Sequence, residues 1–186
     1  MFYETRTNAH GLPHDPYKAI IAPRPIGWIS TVSRDGICNL APYSFFNAVS
    51  ERPPYVAFAS VGRKDSLENI EQTGEFVCSL ATWDLREHMN LSSASVPYGV
   101  DEFPIAGLTA TPSQMVKPPR VKESPAALEC RLWQTIQLPA AEPGGKMGNI
   151  LVIGQVVGIY IDDACLKDGL VDTGRIKPIS RLGYMD

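Results

Sequence analysis

Ile26-Gly27-Trp28-Ile29-Ser30-Thr31-Val32-Ser33, then Arg34-Asp35-Gly36, then Ile37-Cys38-Asn39-Leu40-Ala41: this stretch decides the fold. β-Branched and aromatic residues crowd the first run, and such side chains fit a pleated, half-buried surface. Asp-Gly tolerates the positive φ that a tight hairpin needs, so the second run should fold back on the first. Pro42 follows, and proline has no N–H to give a ladder. The segment from Pro42 to Ser50 must therefore leave the sheet, bulge or run along an edge.

The same grammar continues outward. Tyr55-Val56-Ala57-Phe58-Ala59-Ser60, entered through Pro53-Pro54, reads as a strand, and so does Glu75 to Leu80. Ala127 to Leu138 and Ile150 to Ile161 read as two long strands joined by Ala140 to Lys146. Between the strands at Tyr55 to Ser60 and Glu75 to Leu80, Asp65 with Glu68 three positions on has the spacing of a capping box, and Gly74 reads as the stop of that helix. A second short helix is expected from a Thr82 cap over Asp84 to Leu91. Ser92 to Ser124 is rich in Pro, Ser and Gly and is expected to be a long loop with short elements, of the kind that serves a site or an interface. Six or seven strands and two or three helices make a mainly β fold with a few helices. Closure into a barrel is how such a meander avoids bare edges.

At 186 residues the chain fits one domain, expected over 1–186 with residues 1–16 as an N-terminal arm. A net charge of −3 offers no basic field for nucleic acid or an anionic membrane surface, so neither partner is expected. No apolar run approaches the ~20 residues of a membrane span. The N-terminal stretch has neither the basic start nor the apolar core of a secretory signal, and the expected location is the cytoplasm. Cys38, Cys78, Cys130 and Cys165 are scattered, with no Cys-x-x-Cys pair, and are expected to be buried reduced thiols. Gly11 and Pro13 break any helix that would bring His10 and His14 together, so no metal site is expected.

The usual catalytic patterns are missing: Gly-x-Ser-x-Gly, His-Glu-x-x-His and Gly-x-Gly-x-x-Gly do not occur. Gly144-Gly145-Lys146-Met147 fails as a P-loop, because position 140 is Ala and Met147 stands where a Ser or Thr must hold magnesium. No side chain is expected to act as an essential acid, base or nucleophile. Two stretches carry chemistry instead. Arg63 and Lys64 precede the expected helix and Ser66 sits in its first turn, so two cations and free N–H groups can meet a phosphate monoester. The plainer reading of those residues is a solvated basic pair. In Asn39 to Ser50, aromatic and small polar residues share a backbone that Pro42 frees from the ladder, and they can face a flat polar heterocycle. A core strand with packed aromatics is the alternative.

Arg24-Pro25-Ile26-Gly27-Trp28-Ile29-Ser30-Thr31-Val32-Ser33, Asp35-Gly36 and Asn39 to Asn47 resemble the flavin-reductase-like family of FMN-binding split barrels. Arg63-Lys64-Asp65-Ser66 with Asn69-Ile70, Glu129-Cys130, Gly154-Gln155-Val156-Val157, Ile176-Lys177-Pro178-Ile179 and Arg181-Leu182-Gly183 extend the likeness in order along the chain from about Tyr17. The resemblance implies a Greek-key-like FMN-binding split β-barrel that forms a homodimer, with FMN near the subunit interface. It places Ser30, Thr31 and Ser33 on the ribityl and phosphate side. Asn39, Tyr43, Ser44, Phe45, Phe46 and Asn47 would meet the isoalloxazine ring, and Ser60, Arg63, Lys64 and Ser66 the phosphate. It also implies NAD(P)H as electron donor and an acceptor protein, such as a monooxygenase component, as partner. Many relatives carry a histidine in the late strands near the nicotinamide; here Asn149 and Tyr160 stand at the corresponding places. A flavin-binding electron carrier that never meets NAD(P)H, and a non-enzymatic ligand-binding barrel, are the other readings the residues allow.

Overall fold

The computed structural model describes residues 1–140 and 148–184. Seven antiparallel strands form one sheet: β1 (Gly27–Val32), β2 (Cys38–Tyr43), β3 (Phe46–Glu51), β4 (Pro54–Ser60), β5 (Glu75–Leu80), β6 (Ala126–Gln137) and β7 (Ile150–Ile161). Their order across the sheet is β2-β1-β5-β6-β7-β4-β3. The hairpin expected from Asp35-Gly36 is present, with Thr31 opposite Asn39 and Trp28 opposite Pro42. Pro42 lies on β2, an edge strand, where its missing N–H faces no ladder. The 141–147 part of the expected β6–β7 linker, with Gly144 to Met147, lies outside the described residues.

β2 and β3 are the two opposite edges of the sheet, yet only Ser44 and Phe45 separate them in sequence. The sheet must therefore curl until its edges approach, which makes a split barrel. Gly27 permits that approach. A Cβ placed there would come within 2.6 Å of the Phe46 ring, so the first residue of β3 rests on bare β1 backbone. Phe45 O accepts from Ala59 N at 2.9 Å and fixes the crossing to β4.

Side chains alternate across the curled sheet, and each face carries a buried cluster. Ile29, Phe58, Phe76, Cys130, Val152 and Val156 fill the barrel interior, joined by Leu67 and Ile70 of helix α1 (Asp65–Thr73). On the other face, Trp28 and Leu40 pack with Met89, Phe103, Leu108 and Val121 of the 86–121 excursion. Gly74 ends α1 as expected, in the left-handed conformation at φ 76° with its N–H on Ile70 O. The start of α1 differs from the capping-box expectation. Lys64 is the N-cap, and the Asp65 carboxylate accepts from Gly99 N at 3.0 Å instead of closing the helix on itself.

The second helix is also shorter than expected. α2 spans Arg86–Leu91, while Thr82 is drawn into a bridge with Pro178 and its carbonyl takes Leu85 N in a turn. The long 92–124 segment carries α3 (Glu102–Ile105) and the short strand pair Ala110–Thr111 with Arg120–Val121. Among the described residues no helix is long and apolar enough to cross a membrane. Among the described residues no cluster of His, Cys, Asp or Glu could hold a metal ion, and the four cysteines are free, with Cys38 only partly buried.

Candidate functional site

A cleft of about 480 Å3 opens where the barrel splits. Its walls are the end of β2 and the Ser44-Phe45 crossing, Ala59 near the end of β4 and Val61 just after it, the start of α1 from Arg63 to Ser66, and the loop from Ser92 to Val96. Trp28 holds that loop in place: its indole N–H donates to Ser92 Oγ at 2.9 Å, and Ser92 Oγ donates to Met89 O at 2.7 Å. Of the residues singled out in the sequence, Asn39, Tyr43, Ser44, Phe45, Arg63, Lys64 and Ser66 line the cleft.

The others are elsewhere, for reasons that follow from the fold. Ser30 and Thr31 are fully buried and, as neighbours on a strand, point to opposite faces. Ser30 Oγ donates to Pro119 O, and Thr31 meets Asn39 and Asn69 behind the cleft. Ser33 is spent on its own turn, accepting from Ile37 N at 3.1 Å. Phe46 covers Gly27, and Asn47 is carried out along the far edge, where its Oδ1 accepts from Ala48 N. Ser60 is buried with its hydroxyl on Gly62 O at 2.9 Å. Asn149 and Tyr160 lie away from the cleft. Tyr160 stacks under the Arg120 guanidinium at 3.5 Å, and Asn149 O accepts from Leu138 N.

The start of α1 is open. Lys64 is too long and of the wrong charge to cap, and no side chain caps the helix. The first helical bond is Glu68 N to Lys64 O at 3.0 Å. The N–H groups of Asp65, Ser66 and Leu67 precede it, so the positive end of the helix meets the cleft. The two cations are not equivalent there. Arg63 is about half exposed and ion-paired with Glu71, whereas Lys64 has no carboxylate among the described residues.

Behind this end runs a buried polar network. Ser66 Oγ donates to Asn39 Oδ1 at 2.7 Å, Asn69 Nδ2 donates to Thr31 Oγ1, and Asn39 Nδ2 donates to both Glu102 oxygens at 3.0 Å. Glu102 also accepts from Leu40 N at 2.8 Å. It is 5% exposed, and burial raises its carboxyl pKa, with the bonds from Leu40 and Asn39 opposing the rise and the Asp65 charge adding to it. Sequence reasoning missed Glu102, since nothing local links it to Asn39, 63 positions away. The length of the 92–124 segment was the one signal that pointed there.

Tyr43 completes the wall. It is 7% exposed and stacks at 4.7 Å on Phe58, but its phenol oxygen is buried with no hydrogen-bond partner. Burial raises its pKa, while the nearby Ser66 and Ser60 hydroxyls pull it back. A protonated phenol with no partner, at the edge of a cleft beside an open helix start, is a donor left for a ligand.

The chain matches the model of the flavin reductase like domain over residues 21–180. An uncharacterized protein of Aquifex aeolicus is 36% identical over 170 residues, covering 88% of this chain and 83% of that one. Among solved structures, nitrilotriacetate monooxygenase component B from Bacillus cereus superposes with TM-score 0.88 at 30% identity, over 100% of this chain and 94% of that chain. A flavin reductase with a split barrel domain from Shewanella frigidimarina gives TM-score 0.79 at 28% identity, over 98% and 88%.

Proposed function

Because the chain belongs to the flavin reductase like family, we propose that it is an FMN-binding oxidoreductase that draws electrons from NAD(P)H and passes them, or the reduced flavin itself, to an acceptor such as a monooxygenase component. The observation that carries this reading is the open start of α1 facing the cleft behind Lys64.

The residues present fit FMN. The Asp65, Ser66 and Leu67 N–H groups and the Lys64 ammonium suit a doubly charged phosphate, and Arg63 supports it from the rim. The partnerless Tyr43 phenol and the half-buried Ser44-Phe45 crossing on the cleft wall suit the edge of a polar ring. FMN held there by the Asp65, Ser66 and Leu67 N–H groups and Lys64 would supply the hydride- and electron-transfer chemistry. The protein binds, orients and excludes water. The Asn39–Glu102 network holds Ser66 and the start of α1 in register, and the Ser92–Val96 loop walls the cleft from solvent. Tyr43 keeps its proton and donates it in a hydrogen bond from Oη.

In the cell we place the protein in the cytoplasm, where four free cysteines stay reduced. We further propose a homodimer, which the 60% exposed Trp133, edge-on to Tyr55, favours as an apolar surface.

The test is the absorbance spectrum of the purified protein titrated with FMN. The wild type should bind it and bleach on adding reduced nicotinamide. Arg63→Ala with Lys64→Ala should keep the fold and weaken FMN binding by about a hundredfold, near 2.7 kcal/mol. Equal flavin binding in the double variant would overturn the phosphate assignment.

A further inference from the structure

A second recess of about 410 Å3 adjoins the cleft and shares Lys18, Pro42, Ser44 and Ser93 with it, so the two form one trough. Lys18, Arg24, Arg86 and Arg181 line the recess against a single carboxylate, Glu87, among the described residues. Glu87 lies 3.5 Å from Arg86, and among the described residues none of the other three cations has a carboxylate within ion-pair distance. In a chain with net charge −3, that local excess is opposite in sign to the molecule as a whole.

Arg24 shows how deliberate the excess is. It is 6% exposed, and its guanidinium donates only to the carbonyls of Lys18, Ile21 and Leu182. Its Nε is buried without a partner. A buried guanidinium that lacks a counter-charge is costly to the fold. Carbonyl dipoles hold it in place without neutralising it, so its field reaches into the recess. Arg86 and Arg181 are only partly buried and form the accessible edge, with the Tyr184 ring beside them.

We infer that this recess seats the pyrophosphate-bearing half of the nicotinamide dinucleotide, with Arg86 and Arg181 contacting its phosphates and Arg24 acting through its field. The inference rests on the flavin reading of the adjoining cleft. A monocarboxylate would leave most of the cations unmatched, whereas a dinucleotide carries several charges on one molecule. The volume lies within the roughly 300–1,000 Å3 of small-ligand sites. The shared wall at Pro42 and Ser44 lets one molecule reach from the recess into the cleft. Tyr184 offers a face on which a base can stack.

The experiment uses the FMN-loaded protein under anaerobic stopped flow. Flavin bleaching is followed against the concentration of NADH, NADPH and 1-benzyl-1,4-dihydronicotinamide, a donor with no phosphates. Arg86→Ala with Arg181→Ala should raise the half-saturating dinucleotide concentration at least tenfold and leave the limiting rate unchanged. The rate with the benzyl donor and the FMN affinity should also stay unchanged. Arg86→Lys with Arg181→Lys should recover part of the loss, because charge is retained, and raised salt should mimic the loss in the wild type.

Half-saturation within twofold of wild type in the alanine variant would overturn the inference, and so would an equal loss with the neutral donor. A wild type that holds FMN but is reduced by neither dinucleotide overturns the recess assignment alone. A wild type that holds no FMN overturns the reading of the cleft itself.

Discussion

Two helix starts border the same cleft and are built in opposite ways. At α3, Asp101 is an ordinary N-cap, its Oδ1 accepting from Phe103 N at 2.9 Å, and the helix end is closed. At α1, a lysine stands in the capping position and the end is left open. The chain uses aspartate caps again at Asp162 and Asp172, whereas α1 receives none. α2 also lacks a side-chain cap, but there the turn carbonyls of Thr82 and Trp83 take the first N–H groups. A nine-residue helix without a cap gives up about 1 kcal/mol, and here the uncapped end carries a cation as well. On the proposed reading, stability is exchanged here for an anion site, in line with local rules being broken at functional positions.

Closing α1 is the sharpest way to break this comparison. Lys64→Asp supplies the missing cap and reverses the charge at once. Thermal unfolding without ligand should show a gain of about 1 kcal/mol from the new cap. FMN affinity, followed by quenching of flavin fluorescence, should fall at least a hundredfold, because the N–H groups are occupied and the cation is gone. A variant that is more stable and binds FMN as before would show that the open end serves no ligand.

Much of the fold could be read along the chain because its signals are local. Asp35-Gly36 marks the hairpin, Pro42 marks the edge strand and Gly74 stops α1, each through the backbone of one or two residues. The cleft was half legible for the same reason: Arg63 to Ser66 and Asn39 to Phe45 are contiguous stretches. What sequence reasoning could not resolve was direction. Ser30 and Thr31 are adjacent yet face opposite sides of β1, and Phe46 and Asn47 leave with β3 for the far edge although Phe45 stays. Nor could it resolve meetings across long separations. Glu102 reaches Asn39, and Arg24 reaches Leu182, only once the barrel has curled.

The capped start gives the middle-sized test. Asp101→Ala removes the acceptor from Phe103 N and should destabilise the protein by about 1 kcal/mol in urea unfolding. FMN affinity should stay within about threefold of wild type, since Asp101 is not among the cleft's walls. A loss of FMN binding as deep as that of Lys64→Asp would mean that both helix starts serve the ligand, and the contrast between them would collapse.

Glu102, the residue that follows the Asp101 cap, provides the smallest and most directional test. Its carboxyl pKa is raised chiefly by burial, so the folded protein holds this proton more tightly than the unfolded chain does. The associated stability is complete below the ordinary carboxyl value of about 4.3 and is lost as pH rises through the raised value. Glu102→Gln cannot titrate. The difference in urea midpoint between wild type and variant should therefore shift against the wild type as pH climbs from 4 to 7. The neighbouring Asp65 charge acts in the same direction, and Lys64→Asp should steepen the slope by adding a second anion to that wall. A flat difference across that range would mean that the bonds from Leu40 N and Asn39 Nδ2 fully offset burial, and that the network beneath the open helix end carries no stored proton affinity.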